Sequence, residues 1–323
     1  MNRKLAALII FVAIITALVA ACARRPSPEK KPALPKVPDK ISRGTGKEPV
    51  LSVYEVQTGA VKEMKLEDYV AGVVAGEMEN NWPVEALAAQ AILARTYVLE
   101  FITDKGGSKY TDADISTDFE EAQAWNPDNI NDRIKKAVEM TRGEVVTYKG
   151  KYIKAWFHSH AGGMTATAKE GLNFKEAEPP YIKVTKSPDA DAGPEGKRTW
   201  TASFSKDQIS AVIRDKMGME TGPIDTVSIV ERGPSGRATK LKIGNATVSA
   251  PELRIALGSM EMRSTLLTSF KVEGDKVIMA GKGFGHGVGL SQWGANVMAK
   301  QKKSPEDIIN YYFKDVDIVK LWE

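Results

Sequence analysis

The sequence predicts an α+β fold, because helical and strand-like patterns follow one another without the regular strand–helix–strand alternation of a parallel sheet. The 323 residues suffice for one large domain or two small ones. The share of hydrophobic residues is 42% and that of charged residues is 27%, which is typical of a globular protein. We see no internal repeat, and we expect one domain over residues 49–323 with a helical block and several β-hairpins.

The first half of this domain is predicted to contain a hairpin over residues 50–65, helices over 67–79 and 83–103, a short helix over 131–141 and a second hairpin over 144–157. Both hairpins have alternating apolar and polar residues around a turn, at Thr58-Gly59 and at Lys149-Gly150. Pro83 suits the first position of the second helix, where no backbone donor is needed.

The second half is predicted to contain a loop over residues 187–199, a helix over 205–217, strands over 224–232 and 237–249, a helix over 250–258, a hairpin over 268–280, a glycine-rich loop over 281–289 and a helix from about 290 to 300. The acidic residues of the loop at 187–199 do not have the spacing of an EF-hand. This loop therefore has no function that its sequence reveals.

The first 23 residues predict a secretion signal. Two basic residues precede the apolar run LAALIIFVAIITALVAAC. The segment Val19-Ala20-Ala21-Cys22 resembles the bacterial lipobox, in which cleavage leaves a lipid-modified cysteine, and Cys22 is the single cysteine of the chain. The alternative is an uncleaved anchor, since the run is almost long enough to span a bilayer. Either way, we expect an extracytoplasmic protein held at the membrane, as a lipoprotein or by one N-terminal transmembrane helix.

Residues 24–48 are rich in Pro and Lys and poor in aromatic residues, which predicts a disordered tether. Residues 1–48 hold ten basic and three acidic residues, so residues 49–323 hold 35 basic and 38 acidic ones. The whole chain therefore has a net charge of +4, whereas residues 49–323 have a net charge of −3. A slightly acidic body argues against nucleic acid as a partner.

Glu77 is the first candidate catalytic residue. It follows Val70 by seven residues, which places it on the apolar face of the first predicted helix with Val73 and Val74. Burial and the nearby helix C-terminus would both raise the pKa of its carboxyl group, as a general acid requires. The alternative is a helix that frays after Gly76 and leaves Glu77 solvated.

The segment GKGFGHGVGLSQWGANVMAKQ at 281–301 contains five alternating glycines, which are typical of a loop that passes close to a ligand or another backbone. The spacing fits neither a dinucleotide-binding nor a phosphate-binding loop. His286, Ser291 and Gln292 lie in or beside this loop. A serine hydrolase using Ser291 and His286 is conceivable, although the GxSxG motif is absent. A loop that is glycine-rich for packing alone is the other interpretation.

His158 and His160 are two residues apart, so on a strand they would face the same way and could share a metal ion. Further ligands would have to be Asp or Glu, because the single cysteine belongs to the N-terminal segment. A pair of hydrogen-bonded or surface histidines is the simpler interpretation.

Several blocks of the chain together resemble the SpoIID/LytB family, the stage II sporulation protein D group of peptidoglycan-cleaving proteins. The similarity covers essentially the whole body, and its last block is the most specific. The blocks are LEDYVAGVVAGEMENNWPVEALAAQAILARTYVL (66–99), AVEMTRGEVVTYKGKYIKAWFHSHAGGMTATAKEG (137–171), SAPELRIALGSMEMRSTLLTSFKV (249–272) and GKGFGHGVGLSQWGANVMAKQ (281–301).

The resemblance implies a lytic transglycosylase that cleaves the bond between N-acetylmuramic acid (MurNAc) and N-acetylglucosamine (GlcNAc) with formation of a 1,6-anhydro ring. It implies that Glu77 is the catalytic glutamate. It also implies substrate-binding positions in or near the cleft, which are Gln90, Arg95, Tyr97, His286, Ser291 and Gln292. The alternative within the same family is a non-catalytic wall-binding protein that activates or localises a separate amidase. Other cell-wall hydrolases would then be partners beside the glycan strands.

No cofactor is expected. Some family members bind zinc through a cysteine just before the Gly-Gly pair of the central block, and this position is Ala161 here. A zinc site involving His158 and His160 is therefore doubtful.

Overall fold

The computed structural model describes residues 33–323, and it confirms the α+β class, with 32% helix and 26% strand. In the described range the helices are α1 (Leu66–Glu77), α2 (Val84–Lys105), α3 (Asp132–Met140), α4 (Ala168–Leu172), α5 (Glu195–Arg198), α6 (Lys206–Met217), α7 (Ala250–Leu257), α8 (Gln292–Lys300) and α9 (Pro305–Tyr312). A short 3-10 helix covers Pro127–Asn129.

The strands of the described range are short, and they form several small sheets. They are β1 (Val50–Glu55), β2 (Ala60–Lys65), β3 (Ile115–Ser116), β4 (Glu144–Tyr148), β5 (Lys151–Tyr152), β6 (Phe157–His158), β7 (Thr199–Ser205), β8 (Val227–Arg232), β9 (Ala238–Ile243), β10 (Ala246–Ser249), β11 (Leu267–Glu273), β12 (Lys276–Lys282), β13 (Leu290–Ser291) and β14 (Asp317–Lys320).

Four of the sheets have three strands, with β1, β4, β9 and β12 at their centres. The fifth is the parallel pair of β6 and β13. The predicted hairpins at 50–65 and 268–280 are present as antiparallel pairs, β1 with β2 and β11 with β12. The hairpin at 144–157 is shorter than predicted, because β5 has only two residues. Lys149 and Gly150 occupy its turn with positive φ.

The predicted helices at 67–79, 83–103, 131–141, 205–217, 250–258 and about 290–300 are confirmed to within a few residues. The sequence missed α4, α9, β3, β7 and β14, and it assigned to a loop the stretch that forms α5. Most of these elements are short, so their sequences contain too few turns or alternations for a periodic pattern to emerge. Strand β7 is the exception, because its seven residues alternate between less and more buried positions. The predicted strand over 237–249 is the hairpin of β9 and β10.

Two hydrophobic clusters lie within the part of the chain that the structure describes. The larger is built around α1 and α2, and the smaller contains the apolar side chains of residues 200–279. Helix α2 is long and apolar enough to cross a membrane by length and composition alone, but 83% of its most apolar window is buried inside the protein. Its composition is therefore accounted for by its position in the core.

Residues 34–48, which the composition assigned to a disordered tether, belong to the same compact unit as the rest of the body up to Glu323. Ile41 has no exposed surface and joins the larger cluster. Lys40 pairs with Asp114 at 2.7 Å, and Glu48 accepts a hydrogen bond from the backbone of Glu67. A few specific contacts thus order a segment that composition alone predicts to be disordered. The predicted signal and lipid attachment at Cys22 lie outside the described residues.

The glycine-rich loop runs against the backbone of residues 156–166. Residues 160 and 284 exchange two backbone hydrogen bonds, and Ala166 N donates to Gly287 O at 2.7 Å. At Gly289, where φ is +71°, a Cβ atom would lie 2.0 Å from Trp156 O. The alternating glycines therefore serve close backbone approach, and the loop leads directly into β13 and α8.

Candidate active site

The candidate active site is built around Glu77, the last residue of α1. Its carboxyl group accepts a hydrogen bond from Ala124 N at 2.8 Å and another from Gln292 Nε2 at 3.2 Å. Ala124 lies in the polar stretch before α3, and Gln292 is the first residue of α8. Three distant parts of the sequence therefore meet at one carboxyl group.

Burial raises the pKa of Glu77, and its two hydrogen bonds oppose that shift without cancelling it. The direction of the shift and its main cause, burial, are those that the sequence predicted. Helix α1 also continues through Glu77, so the helix does not fray at Gly76. A carboxyl group whose pKa is raised can hold its proton near neutral pH and donate it to a substrate.

Glu77 lies in a cavity of about 270 Å³, which we call the Glu77 cavity. Trp82 and Trp293 meet edge to face within it, with ring centroids 4.7 Å apart. The lining residues are Ala75, Gly76, Glu77, Met78, Glu79, Trp82, Asn129, Ser159, Lys197, Gln292 and Trp293. Indole rings beside a buried acid are suited to a sugar, whose C–H faces stack on aromatic surfaces.

A larger cavity of about 590 Å³ lies elsewhere, beside α4 and the sheet of β8, β9 and β10. Its buried acid, Glu170, accepts hydrogen bonds from Ser235 and from the backbone of Arg237. These hydrogen bonds account for the burial of the Glu170 carboxyl group, so we interpret it as a structural group. The smaller cavity is the better candidate, because it combines a half-buried acid whose pKa is raised with aromatic walls.

Gln292 is the predicted binding residue that the structure brings to Glu77. Ser291 lies next to it but has no exposed surface. The Ser291 hydroxyl accepts from Gly294 N at 3.2 Å, as the N-cap of α8, and donates to Asp189 at 2.5 Å. Ser291 is thus placed behind the cavity wall, where it can support Gln292 but not touch a substrate.

Gln90 and Arg95 lie in the interior, on helix α2, with no exposed surface. Arg95 forms a buried ion pair with Glu67 at 2.7 Å and donates to Glu144 O. Both amide atoms of Gln90 lack a hydrogen-bond partner among the described residues. Neither side chain lines the Glu77 cavity, so their placement is that of core residues.

Tyr97 is half-buried and does not line the cavity either. Its hydroxyl donates to Glu121 O at 3.2 Å. Burial raises its pKa to about 12, and the charges of Glu100, Glu121 and Glu77 act in the same direction. Tyr97 therefore lies near Glu77 but outside the lining of the cavity.

His286 lies against His158 rather than in the Glu77 cavity, with ring centroids 5.6 Å apart. Burial and the nearby charges of Arg254 and Arg237 lower the pKa of His286 to about 3. Because Ser291 donates to Asp189 and not to a histidine, the geometry does not assemble a Ser291–His286 hydrolase.

The donor set around the central block does not fit a zinc ion. Both ring nitrogens of His160 are engaged, one with Gly162 N and the other with Ala192 O. The Nδ1 atom of His158 is engaged with Val288 O at 3.1 Å. Across residues 33–323, no three or more His, Cys, Asp or Glu side chains lie close enough to share an ion. The cysteine position is Ala161, whose side chain has no ligand atom.

Several residues of the site were not found from the sequence. They are Ala124, which donates to Glu77, and Trp82, Asn129, Ser159 and Lys197, which line the cavity. Lys197 comes from α5, and its Nζ lies 4.6 Å from the centroid of the Phe284 ring. The only signal for Trp82 was its place between two predicted helices. The others lie in stretches without a periodic pattern, so the sequence does not indicate which way their side chains point.

Comparison with known proteins agrees with the resemblance. Residues 54–148 match the family model described as Stage II sporulation protein (SpoIID), and residues 173–289 match a domain of unknown function. The Stage II sporulation protein D of Bacillus amyloliquefaciens is 33% identical over 298 residues, which cover 86% of this chain and 83% of that protein. The protein of the same name from Bacillus subtilis (strain 168) is 30% identical over 281 residues, covering 83% of this chain and 78% of its own length.

A more distant relative has a different name. The Amidase enhancer of Bacillus subtilis (strain 168) is 28% identical over 296 residues. This match covers 75% of the present chain but only 39% of the enhancer.

Proposed function

The chain belongs to the SpoIID family of cell-wall-related sporulation proteins, and from that premise we propose that it is a peptidoglycan lytic transglycosylase. The observation that carries the proposal is the half-buried Glu77 side chain, whose pKa is raised by loss of water, in a cavity walled by Trp82 and Trp293. The substrate is the glycan strand of the cell wall. The bond that is cleaved links MurNAc to GlcNAc.

In the proposed reaction, Glu77 first donates its proton to the glycosidic oxygen, and the bond between that oxygen and C1 of MurNAc breaks. The C6 hydroxyl of the same MurNAc then attacks C1 and forms the 1,6-anhydro ring. The Glu77 carboxylate takes the proton that this hydroxyl loses, which restores the starting state. Because the nucleophile belongs to the sugar, a second carboxylate to activate water is not required, and the substrate acetamide can assist.

The surroundings of Glu77 suit both halves of this cycle. Burial favours the protonated acid, while the Ala124 and Gln292 donors stabilise the carboxylate that forms after proton transfer. Trp293 and Trp82 offer ring surface to the sugars on either side of the bond. Lys197 is the basic residue among the side chains that line the cavity.

The first test is Glu77→Gln in the full-length protein. We expect the rate of strand cleavage to fall by at least about 100-fold while binding of glycan strands is retained, because the amide cannot donate a proton as an acid does. Cleavage is measured by mass spectrometry of the strand ends, and binding by co-sedimentation with purified glycan. Strands with and without stem peptides are both supplied.

The control is Glu139→Gln, the same chemical change on a side chain that is 74% exposed, which leaves cleavage unchanged. Glu77→Gln also remains at least as stable as the wild type at pH 7, since it removes a buried carboxyl group that is costly to ionise. Anhydro ends produced by Glu77→Gln at the wild-type rate would show that another residue is the acid. Reducing ends from the wild type would indicate a hydrolase.

The second candidate function is a non-catalytic wall-binding protein that activates or localises an amidase. The likeness to the Amidase enhancer favours it. The same experiment separates the two functions, because an activator binds strands without cutting them and increases strand solubilisation only when an amidase is added. The intact Glu77 geometry supports the enzyme.

The proposal includes a position outside the cytoplasm, at the membrane. It rests on the apolar run before Cys22 and on the lipobox-like residues around it. A membrane-held enzyme would reach the wall through the segment between Cys22 and the body. Glycan strands, and other wall hydrolases that act on the same strands, are the proposed partners.

A further inference from the structure

Asp189 is a fully buried acid in the loop at 187–194, which the sequence left without a function. Three donors converge on its two oxygens. They are Ala161 N at 2.6 Å, Gly163 N at 3.0 Å and the Ser291 hydroxyl at 2.5 Å. The backbone donors fix the carboxyl group to the central block, so the group is a rigid acceptor for Ser291.

The Ser291 hydroxyl is held on both sides. It donates to Asp189 and accepts from Gly294 N, in the first turn of α8. Since a hydroxyl has one proton, the bond to Asp189 directs its lone pairs toward the helix. The start of α8 is therefore tied to Asp189 through a single side chain.

Gln292 follows Ser291 directly, and its side chain donates to Glu77 Oε2 at 3.2 Å. The next residue, Trp293, donates its backbone N–H to Ser159 O at 3.0 Å. The loop at 187–194, which carries Asp189, also contacts the Trp293 ring, since a Cβ atom added at Gly193 would lie 2.9 Å from that ring. The loop thus braces the two residues of α8 that line the Glu77 cavity.

We propose that Asp189 is a positioning residue, which holds Ser291 as the N-cap of α8 and so sets the Gln292 amide against the Glu77 carboxyl group. The effect of this positioning on catalysis rests on the proposed function. The contacts themselves can be tested without a measurement of strand cleavage. Its physical basis is that a side-chain amide can stabilise a carboxylate only if its backbone is held within hydrogen-bond reach.

The experiment measures the titration of Glu77 by carboxyl ¹³C NMR in the full-length protein in detergent, with Glu77→Gln to assign the signal. The other titratable groups facing or close to Glu77 are Tyr69, Tyr97, Glu79 and Lys197, and they are present in every variant. We expect Ser291→Ala and Asp189→Asn to raise the pKa of Glu77 above its wild-type value. Ser291→Thr keeps the hydroxyl and restores the wild-type titration.

The decisive comparison is a double-mutant cycle. Gln292→Ala raises the pKa of Glu77 by itself, and adding Ser291→Ala to it changes the pKa no further if Ser291 acts through Gln292. For cleavage, we expect Ser291→Ala to lower kcat by roughly 10- to 100-fold with little change in KM.

An unchanged Glu77 titration in folded Ser291→Ala, with only a lower melting temperature, would overturn the proposal, because Ser291 and Asp189 would then be structural alone. An additive shift in the double variant would also overturn it. If Asp189→Asn does not fold, the two Ser291 variants still decide the question. Retained cleavage by Glu77→Gln would refute the catalytic assignment, whereas the NMR cycle would still test the positioning.

Discussion

Glu77 shows how one residue acquires its chemistry from its surroundings. The same side chain in water would lose its proton well below neutral pH. Here, burial outweighs the two hydrogen bonds and the pKa rises. Asp189 is buried more completely, yet it receives three donors and serves as a fixed acceptor. The two acids thus differ in their surroundings, because two donors reach Glu77 and three reach Asp189.

His158 and His286 are the other residues whose charge depends on burial. The pKa of His158 lies well below its usual range, because it is buried and lies near His286 and Arg237, and that of His286 is about 3. Both are neutral in the folded protein. In the unfolded chain they take up protons below about pH 6.5. Their contribution to the free energy of unfolding is therefore fully present above that pH and declines as the pH falls, down to about 3 for His286.

We predict that the free energy of unfolding falls between pH 6.5 and pH 5, and that His286→Asn makes this fall smaller by at most about 1.4 kcal/mol per pH unit. Asn keeps an acceptor for the Val288 N–H, which His286 Nδ1 now provides. Urea unfolding at a series of pH values measures the slope. The internal control is the range above pH 7.5, where we expect the free energies of unfolding of the two proteins to change with pH in the same way. Equal slopes below pH 6.5 would contradict the assignment.

At the scale of elements, helix α1 differs from the one-sided helix that its sequence predicts. Its residues from Tyr69 to Ala75 are all buried, so it has no solvent face over two turns. One side is covered by the segment at 122–126, which approaches closely at Gly72 and Gly76. Asn126 N donates to Gly72 O at 2.9 Å, and Ala124 N donates to Glu77. The two glycines let this segment reach the Glu77 carboxyl group.

Gly76→Ala tests this contact between elements. A Cβ atom at residue 76 would lie 2.7 Å from the backbone of Ala124, so the segment must move. Alanine favours a helix by about 1 kcal/mol, but we expect the clash to dominate, with a net loss of stability of about 1–3 kcal/mol. Displacement of Ala124 should also lower cleavage by roughly 10-fold or more.

The matched control is Gly196→Ala in α5, where a Cβ atom makes only ordinary contact at 3.5 Å with the Arg263 side chain. This change should leave the stability unchanged or raise it by up to about 1 kcal/mol. Thermal unfolding followed by circular dichroism compares the two variants. If Gly76→Ala stabilised the protein as its control does, the close approach at residue 76 would not be a constraint.

At the scale of the whole molecule, long-range contacts close the larger core. Trp322 is buried, and its indole N–H donates to Glu67, 255 residues earlier in the chain. Glu67 also pairs with Arg95 and accepts from Gly143 N. The contact between Gln292 and Glu77 spans 215 residues. The candidate active site therefore forms only when the last quarter of the chain packs on the first.

The membrane attachment is the prediction that concerns the chain as a whole. We expect wild-type protein expressed in a bacterium to incorporate a labelled fatty acid and to sediment with membranes, and Cys22→Ser to lose the label. Mass spectrometry of the mature N-terminus is the second measurement. Wild-type protein that carries no label and keeps residues 1–21 would instead indicate an uncleaved anchor.

Much of the fold follows from local patterns. The six helices that were predicted have strong periodicity or caps, as with Pro83 before α2 and the Ser205–Gln208 capping box of α6. The elements that were missed, such as β3 and α5, are too short for a pattern and owe their conformation to neighbours. Residues 34–48 are a similar case, since the burial of Ile41 orders a polar segment.

The sequence by itself determined the fold class and the order of the main helices and hairpins, and it indicated Glu77 as the leading candidate for a catalytic residue, because periodicity and block resemblance are properties of consecutive residues. Only the tertiary structure decided which predicted binding residues reach Glu77. It brings Gln292 to the carboxyl group, and it places Arg95 and Gln90 in the core and Ser291 on Asp189. The physical reason is that hydrogen bonding and burial depend on groups that are far apart in sequence, and no local pattern records which of them will meet.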